Sequence, residues 1–146
     1  MSDIRIVRDF PYPQSMVWRA MTEPELVAQW TVTGRGGRPE GFSPTVGTHF
    51  RLVGKPMPGW DGIVECEVLE AEPPSMLRYT WRGDGKGRPT YVTYRLTPTD
   101  GGTRLEFKHT GFTGPGGFMM AKLILGPIRT KMLDRGLPPV LQRMTS

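Results

Sequence analysis

Residues 76–110 read MLRYTWRGDGKGRPTYVTYRLTPTDGGTRLEFKHT, and this stretch decides the fold. It contains three runs in which apolar or aromatic side chains alternate with charged or polar ones, separated by two glycine-rich turns. Because successive side chains of a strand point to opposite faces, each run predicts a strand with one apolar and one charged face. Asp100-Gly101-Gly102 has the residues that favour a tight hairpin turn. The stretch therefore predicts an antiparallel sheet with one face in water and the other covered.

The alternation also predicts the direction of each side chain in this stretch. Arg78, Arg82 and Arg95 are expected on the face in water. The opposite, covered face should carry Leu77, Tyr79, Trp81, Val92, Tyr94, Leu96, Leu105, Phe107 and His109.

Upstream of this stretch, the same patterns predict the first half of the chain. Residues 3–10 alternate and predict an opening strand, and two more strands are expected at 48–53 and 62–71. Residues 14–21 and 22–30 predict two short helices, the second with Pro24 and two glutamates in its first turn. Residues 31–47 are rich in glycine, proline and threonine and predict a long loop. The total is six to seven strands.

The C-terminal segment should cover the apolar face of the sheet, because such a face must be buried against another element. A helix is predicted from about 116 to 135, with Pro127 as a kink. Gly136-Leu137-Pro138-Pro139 should break or bend it, and a last helical piece is expected over 139–144. The stripe of this helix that faces the sheet is predicted to be Phe118, Ala121, Leu125, Ile128 and Met132.

Length and composition limit the class of protein. A chain of 146 residues suits one domain, so residues 1–146 are expected to form a single α+β domain. Neither a membrane-spanning run nor a signal peptide is visible, and we expect a cytoplasmic protein without membrane insertion. Cys66 is the only cysteine, so an intramolecular disulfide and a multi-cysteine metal site are excluded.

The formal net charge is +5, which raises the question of an acidic partner. The basic residues are spread over loops and alternate strand positions and form no cluster, so nucleic-acid binding is not expected. The two histidines, His49 and His109, have no carboxylates at matching spacing, and no metal or other cofactor is expected. Phosphate-binding loops, nucleophile elbows and dinucleotide fingerprints are also absent from the sequence.

The aromatic residues of the predicted covered face allow two interpretations. They either fill an ordinary core or line a pocket in which tyrosine and tryptophan find partners for their polar atoms. A pocket with a few convergent polar groups is typical of small-molecule sites. The candidate ligand-binding residues are Trp30, Phe50, Cys66, Tyr79, Trp81, Tyr94, Phe107, His109, Phe118 and Leu125.

His109 has three open interpretations: a hydrogen-bonded core residue, a polar handle for a ligand, or a general acid/base. The sequence pairs no carboxylate with it by spacing, so no catalytic residue is assigned. Cys66 shares a face with Val64 and Val68 and is interpreted as a small buried hydrophobe. Glu65 and Glu67 are expected on the outer face of the same strand.

Several motifs, taken in order, cover nearly the whole chain. They are Val17-Trp18-Arg19-Ala20-Met21-Thr22-Glu23-Pro24, Trp30, Val46-Gly47-Thr48-His49-Phe50, Gly62-Ile63-Val64, Glu72-Pro73-Pro74, Leu77-Arg78-Tyr79-Thr80-Trp81, Gly101-Gly102-Thr103-Arg104-Leu105, and His109-Thr110-Gly111-Phe112. With these motifs the chain resembles the START-like or SRPBCC superfamily, which includes polyketide cyclase/dehydrase-like proteins. The branch it resembles is that of the activator of heat-shock protein 90 ATPase homologues.

The resemblance implies a helix-grip fold, in which a curved antiparallel sheet closes over a long C-terminal helix with an internal cavity between them. Thr31 stands where many relatives have a second aromatic residue, and Phe118 where many have tryptophan. Both differences would reshape a pocket. The N-terminal chaperone-binding domain of the eukaryotic activator has no counterpart in these residues, so chaperone activation is not well supported.

The residue patterns and the resemblance leave three functional hypotheses. The leading hypothesis is binding or transport of a small hydrophobic ligand, such as a lipid or an aromatic or polyketide-like metabolite. The second is an enzyme of the cyclase, dehydratase or hydrolase type that uses the same cavity, although the balance favours a protein that is not an enzyme. The third is a chaperone cofactor or protein-interaction module. A homodimer is open under all three.

Overall fold

One antiparallel sheet forms the larger part of the fold. The structure is a computed structural model that describes residues 3–31, 38–54, 62–82 and 88–145. The strands of these residues are β1 Ile4–Phe10, β2 Arg38–Glu40, β3 His49–Val53, β4 Ile63–Glu72, β5 Met76–Trp81, β6 Thr90–Thr99 and β7 Gly102–Thr110. Their order in the sheet is β1-β7-β6-β5-β4-β3-β2. The predicted α+β antiparallel architecture is confirmed.

The predicted faces of the central strands are also confirmed. Tyr94 and Phe107 are 4% and 1% exposed, whereas Arg82 and Arg95 are exposed. β6 and β7 form the predicted hairpin around residues 100–102. The predicted turn at 83–87 lies outside the described residues.

β2 was not predicted, because it lies within the stretch 31–47 that was expected to be a loop. It has three residues, among them Pro39, and pairs with β3 at the edge of the sheet. A strand this short shows no alternation, and proline counts against a strand except at an edge. Only the pairing with β3 makes this segment a strand.

Two short helices follow β1, as predicted. They are α1 Gln14–Thr22 and α2 Pro24–Trp30. α1 buries Val17, Ala20 and Met21 in the core. Pro24 lies in the first turn of α2, where a missing N–H has no cost.

The C-terminal segment is helical without a break from 114 to 144. It consists of α3 Gly114–Met119, a π-helical segment Met120–Leu125, α4 Gly126–Lys131, a second π-helical segment Met132–Gly136, and α5 Leu137–Met144. Of the two alternatives predicted for 136–139, a break or a bend, the break does not occur. Pro127 and Pro138 each follow a π-helical segment and lie in the first turn of the next α-helix. Proline has no backbone N–H to donate to the preceding turn. The wider π-helical turn tolerates this missing hydrogen bond, so the helix continues.

The helical stripe that faces the sheet differs from the prediction at one position. Ile128 was expected to face inwards but is 39% exposed, whereas its neighbour Arg129 is 3% exposed. A π-helical turn contains about one residue more than an α-helical turn, so a period of 3.6 residues does not continue through Met120–Leu125. The side chains of Phe118 and Ala121, also in the predicted stripe, lie outside the described residues.

The core lies between the apolar face of the sheet and the helices. From the C-terminal helix, Met132, Leu133, Leu137, Val140 and Leu141 are at most 1% exposed. α5 also packs against α1 and α2, so the end of the chain closes the core beside the first helices. In the parts of the chain described, no helix is long and apolar enough to cross a membrane.

Candidate functional site

The C-terminal helix inserts a buried cation opposite the centre of the sheet. The guanidinium carbon of Arg129 lies 4.3 Å from the ring centroid of Trp81 and 5.1 Å from that of Phe107. Its Nη2 is 3.4 Å from Nδ1 of His109, and its Nη1 donates to Sδ of Met132 at 3.8 Å. The Arg129 Nε–H has no acceptor among the described residues.

The buried charge of Arg129 destabilises the folded chain when no further group compensates it. A buried charge is expensive unless an opposite charge or strong hydrogen bonds compensate it. A guanidinium has five N–H donors, and here two contacts are made, one of them to a weak thioether acceptor. Contact with aromatic faces offsets about 2 kcal/mol of such a cost. Arg129 is therefore only partly compensated by the residues that the structure describes around it.

A short hydrogen-bond chain runs from Trp81 through Thr90 and His109 of β7 to Arg129. The Thr90 hydroxyl donates to the carbonyl oxygen of Trp81 at 3.2 Å, and its oxygen lies 2.7 Å from Nε2 of His109. Because the hydroxyl has one proton, Nε2–H of His109 donates to Thr90, which leaves Nδ1 to accept from Arg129. The chain assigns a neutral His109 with its proton on Nε2.

The electrostatics agree with this assignment. His109 is fully buried. Burial, together with the nearby Arg129 charge, lowers the pKa of His109 from 6.5 to about 2. The ring is therefore neutral at physiological pH, and both of its nitrogens have partners. A general acid/base needs a nitrogen that can exchange a proton near neutral pH, and this geometry does not favour that role.

Aromatic rings surround this polar centre in a continuous series of edge and tilted contacts. Tyr94 lies next to Trp30 and Phe107, with centroid distances of 6.3 and 5.1 Å. Tyr79 lies 5.2 Å from Phe50, and His109 lies 4.6 Å from Phe112. The Trp30 Nε1–H donates to the carbonyl oxygen of Ala20 at 2.8 Å, so its polar atom is satisfied by the core.

Three weakly acidic side chains face the same interior. Burial raises the pKa of the Cys66 thiol and of the Tyr79 and Tyr94 phenols. The positive charge of Arg129 lowers the pKa of all three and so opposes this shift. The interior is thus a set of neutral donors around one cation.

Most of the predicted site residues converge on this interior. Leu125 is half-buried and packs against the core, and the Phe118 side chain lies outside the described residues. The predicted residues whose side chains β3, β4, β5, β6, β7 and α2 bring to the buried side are Trp30, Phe50, Cys66, Tyr79, Trp81, Tyr94, Phe107 and His109. Their role in ligand binding stays a prediction.

The sequence prediction missed Arg129 and Thr90. Arg129 follows Leu125 by four residues and precedes Met132 by three, which is the spacing of one helical stripe. A charged residue on an apolar stripe was a usable signal. Thr90 is the first residue of β6, and nothing in its sequence context indicates its contact with His109.

A separate open groove lies between β1 and the C-terminal helix. It has a volume of about 740 Å³, and its walls are residues 3–6 and helix residues between Lys122 and Arg135. None of the predicted site residues lines it. Among the described residues, no group of histidine, cysteine or carboxylate side chains is arranged to hold a metal ion.

The sequence model of one protein family matches most of the chain. The model of the family described as "Activator of Hsp90 ATPase homolog 1-like protein" matches residues 11–122. No curated protein matches the chain.

Solved structures with this fold come from several bacteria. Protein MLL2253 from Mesorhizobium loti is 28% identical with a TM-score of 0.74, over 97% of both chains. A protein from Rhodobacter sphaeroides is 25% identical with a TM-score of 0.80, over 97% of this chain and 93% of that one. CalU16 from Micromonospora echinospora is 25% identical with a TM-score of 0.70, over 97% of this chain and 82% of that one.

Proposed function

Because the chain belongs to the family of activator of Hsp90 ATPase homolog 1-like proteins, we propose that it binds a small, mainly apolar ligand between sheet and C-terminal helix. Membership of the family is consistent with a ligand-binding fold but names no ligand. The observation that carries the proposal is the set of polar groups at the buried centre. The groups that converge there are Arg129, His109, Tyr79 and Tyr94. The aromatic rings that surround the polar centre form an aromatic wall around them.

The chemistry of the interior supports binding by burial and orientation. Transfer of apolar ligand surface from water contributes about 25 cal/mol per Å², from which the entropic cost of association is subtracted. Aromatic rings provide that surface, and a few fixed polar groups orient the ligand. The proposed role is that of a cytoplasmic binding or transport protein for such a ligand, without a cofactor.

The covering helix provides a route for entry in this proposal. α4 holds Arg129 and is flanked by two π-helical segments. The π-helix is rare and occurs frequently at functional sites, because its wider turn is less regular. α4 is therefore the part of the cover that we expect to shift when a ligand enters.

The enzyme alternative needs a proton acceptor in this interior. His109 is the obvious group, but its two nitrogens contact Thr90 and Arg129 and its ring is neutral. The Cys66 thiol is buried and its pKa is raised, which disfavours a thiolate nucleophile. The geometry therefore supports a binding protein better than a cyclase, dehydratase or hydrolase.

Two measurements on the full-length protein test the proposal. Native mass spectrometry of freshly purified protein should show a small molecule that is lost on denaturation. Calorimetric titration with 2-acetonaphthone, a neutral aromatic ketone, should show binding of one molecule per chain. A protein that carries no small molecule and binds no aromatic probe would contradict the proposal.

A pair of variants on β4 locates the binding. Cys66 is 4% exposed and faces the interior, whereas its neighbour Glu65 is exposed on the other face. Cys66→Leu should fill part of the interior and weaken binding of the ketone about tenfold, equivalent to about 1.4 kcal/mol. Glu65→Leu adds the same side chain in water and should leave the affinity unchanged. Equal affinities of the two variants would place the probe elsewhere.

A further inference from the structure

Arg129 differs from the arginines at the surface in how its charge is compensated. Among the described residues, six surface arginines contact carboxylates within 4 Å: Arg5, Arg8, Arg19, Arg51, Arg78 and Arg104. In the described part of the chain, no carboxylate forms an ion pair with Arg129, although the side chain of Arg129 is buried and those of the other six are at the surface.

The contacts of Arg129 fix its position and leave the Nε–H donor unused. The Trp81 and Phe107 rings contact the guanidinium through cation–π interactions, and Nδ1 of His109 accepts a hydrogen bond from Nη2. The buried Nε–H has no acceptor among the described residues. A cation held in place with free donors is prepared for an anion, because charge-assisted hydrogen bonds are the strong ones.

The surroundings restrict the kind of anion. Arg129 is the single cationic side chain among the buried polar and charged residues described in this structure, so it matches one negative charge. A phosphate has up to two charges and three acceptor oxygens and would leave part of them uncompensated in this interior. The planar guanidinium fork fits the two oxygens of a carboxylate. The aromatic side chains around that group favour contact with an aromatic ring of the ligand.

We propose that Arg129 is an anion anchor and that the ligand of this protein is an aromatic or fused-ring carboxylate. The inference rests on the proposed function and adds the chemical class of the ligand. Arg129 donates from Nε–H to the ligand carboxylate, and His109 is a positioning residue that holds the guanidinium through Nη2. The ring system of the ligand packs against the aromatic wall.

The test compares two probes of nearly the same shape. 2-Naphthoate carries a carboxylate, and 2-acetonaphthone carries a neutral carbonyl group on the same rings. At pH 7.5, calorimetry on the wild type should show that naphthoate binds about tenfold to a hundredfold more tightly than the ketone, the range for hydrogen bonds to charged groups. Arg129→Met should remove this preference, so that naphthoate and ketone bind with similar affinities.

A matched control uses the same substitution at an exposed site of the sheet. Arg95 on β6 is exposed, so Arg95→Met removes one positive charge from the surface without touching the interior. Both affinities should equal those of the wild type. A loss of naphthoate affinity in Arg95→Met as large as in Arg129→Met would reduce the effect to overall charge and overturn the inference.

A second measurement separates an anchor from a purely structural arginine. Without probe, Arg129→Met should melt no lower than the wild type, because replacement of a poorly compensated buried charge by an apolar side chain is often neutral or stabilising. If Arg129→Met does not fold, Arg129→Lys keeps the charge without the fork and should weaken naphthoate binding more than ketone binding. Equal loss for both probes would overturn the anchor.

The outcomes distinguish this inference from the proposed function. Equal binding of naphthoate and ketone by the wild type, unchanged in Arg129→Met, overturns the anion anchor and leaves ligand binding intact. Failure of the wild type to bind either probe contradicts the proposed function, and the inference fails with it. Preference for the charged probe that disappears in Arg129→Met supports both.

Discussion

At the scale of single residues, the contact between His109 and Arg129 defines the chemistry of the interior. Alone, a buried histidine is a candidate acid/base and a buried arginine is an expensive charge. Together, the neutral ring accepts from the guanidinium, and Thr90 sets the tautomer that makes this acceptor available. The roles of both residues follow from their contacts, because neither residue type alone specifies one.

The buried neutral His109 predicts a particular dependence of stability on pH. Its pKa is about 2 in the folded chain and near 6.5 in the unfolded chain. The unfolded state therefore binds more protons between these values, and stability is lost as pH falls below about 6.5. Urea unfolding from pH 6.5 to 5, above the range of most carboxylates, should show a decrease whose slope steepens towards about 1.4 kcal/mol per pH unit at the lower end.

The two histidines allow a matched control. His109→Gln should flatten the dependence between pH 6.5 and 5, whereas His49→Gln, at an exposed position of β3, should keep the slope of the wild type. A wild-type slope that persists in His109→Gln would show that another group titrates, and would contradict the neutral assignment of His109.

At the scale of elements, the close approach of β7 to the segment after β1 depends on a glycine. A Cβ at Gly102 would lie 2.0 Å from the carbonyl oxygen of Phe10 and 2.8 Å from the backbone nitrogen of Tyr12. The next residue, Thr103, donates its hydroxyl proton to the carbonyl oxygen of Tyr12 at 2.7 Å. The start of β7 is therefore held against the turn that leads into α1.

This contact predicts different effects for two adjacent glycines. Gly102→Ala should lower the free energy of unfolding by about 3 kcal/mol, because backbone atoms must move apart to admit the methyl group. Gly101→Ala has nothing within 4 Å of the added Cβ and should change stability by less than about 0.5 kcal/mol. Chemical denaturation measures both values, and equal effects would show that β7 and β1 do not approach in this way.

The C-terminal helix shows at the same scale how an irregular turn changes side-chain placement. Two π-helical segments let the helix pass Pro127 and Pro138 without a break. After the first of them, Leu125, Arg129 and Met132 follow an α-helical spacing that brings Arg129 inwards, whereas Ile128 is exposed. The π-helical segment Met120–Leu125 shifts the register of this spacing relative to the helix before it.

At the scale of the whole molecule, the sheet and the C-terminal helix depend on each other. The buried side chains of β4 to β7 have their cover in helical residues 114–144, and α5 packs against α1 and α2. A protein that ends at Thr113 would expose this apolar face, so we expect it to lose cooperative thermal unfolding and to associate.

A shorter truncation is the control for this prediction. A protein that ends at Met144 keeps the complete α5 and should melt as the full chain does. Differential scanning calorimetry and gel filtration measure cooperativity and association. If the protein ending at Thr113 melted cooperatively as a monomer, the sheet would be stable without its cover and the architecture would need revision.

The sequence by itself determined the strands other than β2, their faces and the need for a helical cover. The reason is local: alternation at period two is set by the geometry of each strand, so Tyr94 and Arg95 take opposite faces whatever lies around them. The short helices followed in the same way from apolar spacing and Pro24. The aromatic residues of the interior could be named because they lie on these predicted faces.

Only the tertiary structure decided the chemistry of the interior. Thr90, His109 and Arg129 meet across two strands and a helix, and their tautomer, charge and free donor depend on distances that no local pattern contains. β2 is a strand because β3 pairs with it. Arg129 faces the sheet and Ile128 does not, because the π-helical segment Met120–Leu125 shifts the register of the α-helical stripe that follows it. Local periodicity specifies faces, whereas long-range packing specifies which groups meet.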